Sequence, residues 1–220
     1  MTDHPAYEVL TAAEVETEFK VSGCIEYPYR EFAGEQEQRV YRGGLKLAGD
    51  WRSEPGVDWN PYNVIVDGDL EIDGQLLWND FGGGCYLLVT GDLRARNVVL
   101  QGCPNVTVLG ELIAEGAIAG RYGDDGGVLN VGGRTRATLV LATSYFRMSF
   151  GPAVEATLIA APFDVDMDVD FSADELPALV RPEFLDADGE ADEGAMFKAM
   201  AQGLPVLRDD LPPGARAAAN

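Results

Sequence analysis

At 220 residues the chain is long enough for one sizeable core, with room for small covering segments. Its formal charge of −21, from 37 Asp and Glu against 16 Lys and Arg, argues against nucleic-acid phosphates and anionic membranes as partners. That leaves plain solubility or a basic protein partner as readings of the charge. No apolar run of about 18 residues is present, and Met1 to Leu10 lacks a signal-peptide layout, so a cytoplasmic location is expected.

Residues 1–40 read as an N-terminal cap with a short helix near Ala12 to Phe19, and residues 41–160 as the body. There a five-residue signature, with inward residues two before and two after a glycine, recurs at Gly49, Gly68, Gly91, Gly110 and Gly133. The gaps are 19, 23, 19 and 23 residues, a period that signals a stacked repeat architecture. Two before each glycine stand Leu47, Val66, Val89, Val108 and Val131; two after stand Trp51, Leu70, Leu93, Leu112 and Thr135. Eight after come Val57, Leu76, Val99, Ile118 and Leu141. Period-two alternation on both sides of a glycine predicts strand, bend, strand. Gly74, Asn97 and Gly116 fall at a second corner, where positive φ is cheapest; Leu139 breaks that row. The expected fold is all-β with small α-helical caps: a single-stranded, right-handed parallel β-helix of about five to six turns. The longer repeats place extra residues in the segments 79–84 and 121–126, as loops on one edge. A further turn is expected at Met148, Phe150, Val154 and Ala156, with Pro152 in the glycine's place.

Residues 161–210 read as a C-terminal cap and 211–220 as a disordered tail. In the cap, Phe163, Val165, Met167, Val169 and Phe171 alternate with aspartates, predicting a strand with one acidic face, and Met196, Phe197 and Met200 predict a short helix.

One residue after each glycine stand Asp50, Asp69, Asp92 and Glu111, then Arg134. Like charges stacked in a ladder repel. The neighbouring column Arg52, Glu71, Arg94, Ile113 and Arg136 offers compensation. Either the face is solvated and self-compensating, or the four acids form a docking strip for a basic partner. Phe81 and Tyr122, in the two loops, are candidate aromatic anchors or covers for the barrel mouth.

Chemistry is thin elsewhere. Asp164, Asp166, Asp168 and Glu175 match positions 1, 3, 5 and 12 of a calcium loop, but Val169 stands where glycine is needed, so the strand reading is preferred. Asp186 to Gly189 reads as a turn. His4 is the single histidine, which disfavours serine or cysteine nucleophile pairs. Cys24, Cys85 and Cys103 form no paired framework, though Cys85 and Cys103 are candidate neighbours. Gly82-Gly83-Gly84 lacks the lysine and helix of a phosphate loop. No enzyme, no metal and no cofactor is expected.

The run from Val64 to Leu141, with Val66-Asp67-Gly68-Asp69-Leu70 and Val89-Thr90-Gly91-Asp92-Leu93, resembles bacterial polymer-forming proteins of the bactofilin-like type. It departs from them in its alternating insertions and substantial caps. The stretch from Pro182 to Asp186, continuing to Gly203-Leu204-Pro205-Val206-Leu207-Arg208, resembles uncharacterised proteins of polymorphic toxin systems. That resemblance implies an immunity protein that binds a cognate, basic toxin domain, acting as monomer or homodimer. A self-assembling scaffold and a carbohydrate-active β-helix enzyme are the alternatives.

Overall fold

Alternating side chains fold the repeat into three short parallel strands per turn, stacked as a β-solenoid of about five turns. The computed structural model describes residues 6–25, 36–53, 62–79, 84–122, 127–161 and 163–211. His4, Phe81 and the tail beyond Leu211 lie outside the described residues, as does the Cys85 side chain.

The first face stacks Glu37–Arg42, Tyr62–Asp67, Gly84–Val89, Asn105–Val108, Val128–Val131 and Arg147–Phe150 in parallel. The second stacks Leu45–Leu47, Leu70–Ile72, Leu93–Ala95 and Leu112–Ala114, then the first halves of Thr135–Ala142 and Val154–Ala160. The third stacks Trp51–Arg52, Gln75–Asn79, Asn97–Gln101 and Ala117–Arg121, then the second halves of those two long strands. The last turn falls where expected, with Met148, Phe150 and Ala156 in the lumen and Thr135 opposite Val154.

Two expectations about register are corrected. Leu45 pairs with Leu70 and Trp51 with Leu76, so Gly49 stands at the second corner opposite Gly74, and Gly44 is the residue opposite Asp69. Leu45 to Trp51 imitates the signature because alternation looks alike on every face. On the third face Val98 and Val140 point into the lumen, while Val99 and Leu141 point out. The cause is a second corner of two residues at Asp73-Gly74 and Glu115-Gly116 but one at Arg96, which moves the following strand by one position. The four extra residues of a long turn therefore split, one at this corner and three at the 79–84 or 121–128 connection.

The terminal segments mostly cover flanks. Helix α1 (Ala12–Phe19), closed by a capping box between Thr11 and Glu14, and the turn after it pack Val15, Val21 and Ile25 on the outward Val40, Ile65 and Leu88 of the first face. Arg42 ties this layer down, reaching Glu18, Glu8 and Asp67. On the outside of the third face lie α2 (Leu176–Leu179) and α3 (Glu193–Met200). Their Leu176, Leu179, Met196, Phe197 and Met200 bury Leu77, Val99, Leu141 and Ile159. A face buried on both sides needs apolar residues at consecutive positions, and Leu76-Leu77, Val98-Val99 and Leu158-Ile159 supply them.

The ends of the lumen are closed by other means. At the first turn Tyr7, Tyr41, Trp51 and Trp78 stack edge to face, with ring centroids 5.7, 6.1 and 5.1 Å apart. Strand Glu8–Leu10 covers the first-face edge, antiparallel to Glu37–Arg42. At the last turn the segment after Phe163 is not the continuous strand the alternation predicts: Val165 forms one bridge to Met148, and Phe171–Ser172 pairs with Ile159 and Ala160. Val165, Met167 and Val169 plug the lumen. The expected acidic face is put to use on strand edges, Asp166 accepting from Phe150 N at 3.3 Å and Asp170 from Leu158 N at 2.9 Å. Asp164 is 3% exposed, and burial pushes its carboxyl above the usual aspartate range.

Two outcomes follow from this packing. A Cβ at Gly120 would overlap the ring of fully buried Phe146, so Gly120→Ala should cost about 1–3 kcal/mol in denaturant unfolding. Because the folded pKa of Asp164 is raised, its contribution is present below the unfolded pKa of about 4 and lost as pH rises through the folded value. Asp164→Asn should therefore raise the melting temperature at neutral pH, with the gain over wild type shrinking toward pH 4.

Candidate functional surface

With two faces covered, the second face is the open one. Down its centre Lys46, Glu71, Arg94, Ile113, Arg136 and Glu155 stand in one outward row. Signs mostly alternate, and neighbours pair: Lys46 Nζ lies 2.6 Å from Glu71 and Arg136 Nε 3.6 Å from Glu155. The Lys46 ammonium holds the Glu71 carboxyl below its ordinary range. Between this row and the second corner lies an open trough of about 950 Å³, lined by Asp69, Glu71, Asp73, Arg94, Arg96 and Glu115 with Ile72, Ala95 and Ile113.

The acid ladder sits at the edge of this face, and its first member is corrected. Asp50 is opposite Gln75, not opposite Asp69; its Oδ1 accepts from Gln75 N at 3.0 Å at the second corner. The remaining three carboxylates interlock. Asp69 Oδ1 accepts from Asp92 N at 2.8 Å, and Asp92 Oδ1 from Glu111 N at 2.8 Å. Glu111 receives Arg134 Nη2 at 2.9 Å, and Asp92 receives Arg94 Nη2 at 3.2 Å.

Each interlock needs a glycine. A Cβ on Gly91 would overlap Asp69 Oδ1, and one on Gly110 would stand 2.5 Å from Asp92 Oδ1. The second corner repeats the device with Asp50 over Gly74 and Asn97 over Gly116, Asn97 Oδ1 accepting from Ala117 N. Neither Gly74 nor Gly116 has positive φ, so room for an oxygen explains them, not backbone conformation. The ladder's charges are thereby engaged with the scaffold, which favours the self-compensating reading of these columns.

Net charge lies elsewhere. Residues 163–211 hold 14 Asp and Glu against three Lys and Arg, more than half of the chain's excess. Asp192 caps α3 through Ala195 N at 2.9 Å, and Asp186 Oδ1 closes a turn onto Asp188 N and Glu190 N. Asp164, Asp166 and Glu175 do not converge: one is buried, one caps Phe150, and Glu175 accepts from Ser172 N at 2.8 Å. Among the described residues no group of three or more His, Cys, Asp or Glu side chains is placed to hold a metal, and no helix is long and apolar enough to cross a membrane.

The loop connections do share one corner, between the third and first faces, at 79–84 and 121–128. Tyr122 is 48% exposed with φ 62° and stays clear of the lumen, its ring 4.6 Å from the Arg121 guanidinium. Two exposed aromatics lie on the following turns of this corner: Tyr145, 62% exposed, which the sequence reading did not single out, and Phe163, 70% exposed, which the alternation had placed on the apolar side of a strand. The connection of only 143–146 between two apolar strands was the available signal for Tyr145; Phe163 was hidden inside an alternating pattern.

If the ladder serves the scaffold, Asp92→Ala should cost about 1–2 kcal/mol by leaving Glu111 N–H and Arg94 without their acceptor. Asp92→Asn, which keeps Oδ1, should cost clearly less. Equal losses in the two thermal melts would show that charge rather than the hydrogen bond matters.

Comparison of the chain with protein-family models, with curated proteins and with solved structures finds no match to any of them.

Proposed function

We propose that this chain is a non-enzymatic protein-binding module of the cytoplasm, and within that class an immunity protein that binds and neutralises a cognate, basic bacterial toxin domain. The observation that carries the reading is the placing of charge: the solenoid's acids are largely engaged by its own N–H groups and arginines, while 14 acidic residues crowd the segment 163–211. That segment keeps an excess of 11 acids over bases (14 − 3) although many of its carboxylates accept bonds within it, and such net charge steers a cationic protein and repels nucleic acid and anionic lipid. Asp69, Asp92 and Glu111 add to that field from the neighbouring face, Asp50 from its corner, and Tyr122 offers an aromatic contact. Phe81, outside the described residues, belongs to the same reading.

A bactofilin-like scaffold would require bare strand edges at both ends of the stack. Here Glu8–Leu10 lies along one edge, and Asp166 and Asp170 accept from edge N–H groups at the other.

The reading is tested by co-expressing the chain with the product of the adjacent open reading frame in a growth assay. Rescue of growth, with a complex whose association slows as salt is raised, is the expected result; a neighbour that is not toxic, or is toxic and not rescued, overturns the immunity reading. Light scattering of the purified chain should give a monomer or dimer. Filaments would instead support the scaffold.

A further inference from the structure

Between Ala142 and Arg147 the chain passes from the third face to the first in a four-residue turn. Phe146 N donates to Thr143 O at 3.1 Å, and the two central residues, Ser144 and Tyr145, have φ of 53° and 62°. Two consecutive left-handed residues are characteristic of a type I′ turn, which prefers Asn and Gly and strains other side chains. The turn is fixed from outside by Glu193 at the start of α3, whose Oε2 accepts from Thr143 Oγ1 at 3.0 Å and Ser144 Oγ at 3.2 Å. Its effect is to sink Phe146 fully into the lumen and hold Tyr145 outward.

One turn further on, at the same corner, Phe163 also points outward. The two rings stack with centroids 6.2 Å apart and planes 20° from parallel, yet remain 62% and 70% exposed. Stacking leaves the pair as one apolar ledge in water, with Tyr122 on the preceding turn. Aromatic residues are the commonest anchors of protein interfaces.

The surroundings say what would cover the ledge. Asp166 lies three residues beyond Phe163 in the chain, Glu193 is bonded to the turn itself, and Asp192 adjoins it, while Asp164 is buried and out of a partner's reach. The two nearby cations are committed: Arg147 has its own partner, and the Arg121 guanidinium is held between the rings of Tyr122 and Phe197, 4.6 Å from each centroid. An apolar partner would strip water from these carboxylates and return nothing. A guanidinium can stack on an aromatic ring and donate to a carboxylate at once, and Arg121 already shows the first of these contacts at this corner, against Tyr122 and Phe197.

Resting on the binding-module reading above, we infer that Tyr145 and Phe163 form the anchor point for an arginine-bearing basic segment of the partner protein, with Tyr122 as its outer margin. The cation settles on the stacked rings, and the flanking carboxylates set its orientation. Arginine is preferred to lysine because a planar guanidinium stacks on an exposed ring face and still has donors for a carboxylate.

The test uses the full chain, isotope-labelled, titrated in NMR with a nine-residue arginine peptide, its lysine counterpart and a neutral Gly-Ser peptide. The largest shifts are expected at Tyr145 and Phe163, with the lysine peptide weaker and the neutral one silent. The double variant Tyr145→Ala/Phe163→Ala should bind the arginine peptide about tenfold or more weakly with an unchanged melting temperature. Tyr145→Phe should keep near-full affinity. Shifts centred on the row from Lys46 to Glu155, or equal affinity of the double variant, overturn the ledge as the anchor. Those results leave the binding-module reading standing, since growth rescue tests it separately: a variant that still rescues fully refutes the ledge alone, whereas wild type that fails to rescue refutes the wider reading.

Discussion

The structure depends on one contact repeated up the stack: a side-chain oxygen of one turn folds over a glycine of the next and accepts the backbone N–H beside it. Asp69 does this over Gly91, and Asp92 over Gly110, while Asp50 and Asn97 do it at the other corner. Strand hydrogen bonds alone fix the spacing of turns but leave the bends between strands free to lose N–H groups to water. The interlock satisfies those groups and ties acid, glycine and register together. It also explains why stacked aspartates are tolerated, since the Oδ1 of each has a backbone donor pointed at it.

Much of the fold was legible in the sequence because a one-sided strand writes its facing into every second residue. From Gly68 to Gly133 the open second face obeys that rule, and on the first face Val66, Val89, Val108 and Val131 stack as expected although Leu88 is buried on the other side. The third face did not declare itself, because helices α2 and α3 bury its outer side and Val98 is as apolar as Val99. Facing there is decided by whether the corner holds one residue or two, a detail alternation cannot encode. Asp50 was misplaced for a related reason: Gly49 carries the same local pattern as Gly68 on a different face.

The candidate surface was less legible than the fold. The four-acid column was a visible regularity, yet regular columns in a solenoid are where the scaffold keeps its own bonds. The ledge of Tyr145 and Phe163 breaks the pattern, since no repeat requires two large rings to stand 62% and 70% exposed. In a stacked repeat, departures from the average turn carry more about partners than the average does. The acidic run after Phe163 has both characters: Asp166 and Asp170 seal strand edges, and the rest of the segment holds the chain's excess charge.

The lengths of the turns carry a further meaning. Counted between paired residues from Leu45 through Leu70, Leu93, Leu112 and Thr135 to Val154, successive turns take 25, 23, 19, 23 and 19 residues. The strands stay paired across all five, so the added length is absorbed outside the stack, at corners and connections. The lumen is in this sense indifferent to how much chain lies between one strand and the next. A family built on this plan can vary its connections one at a time and keep the same interior.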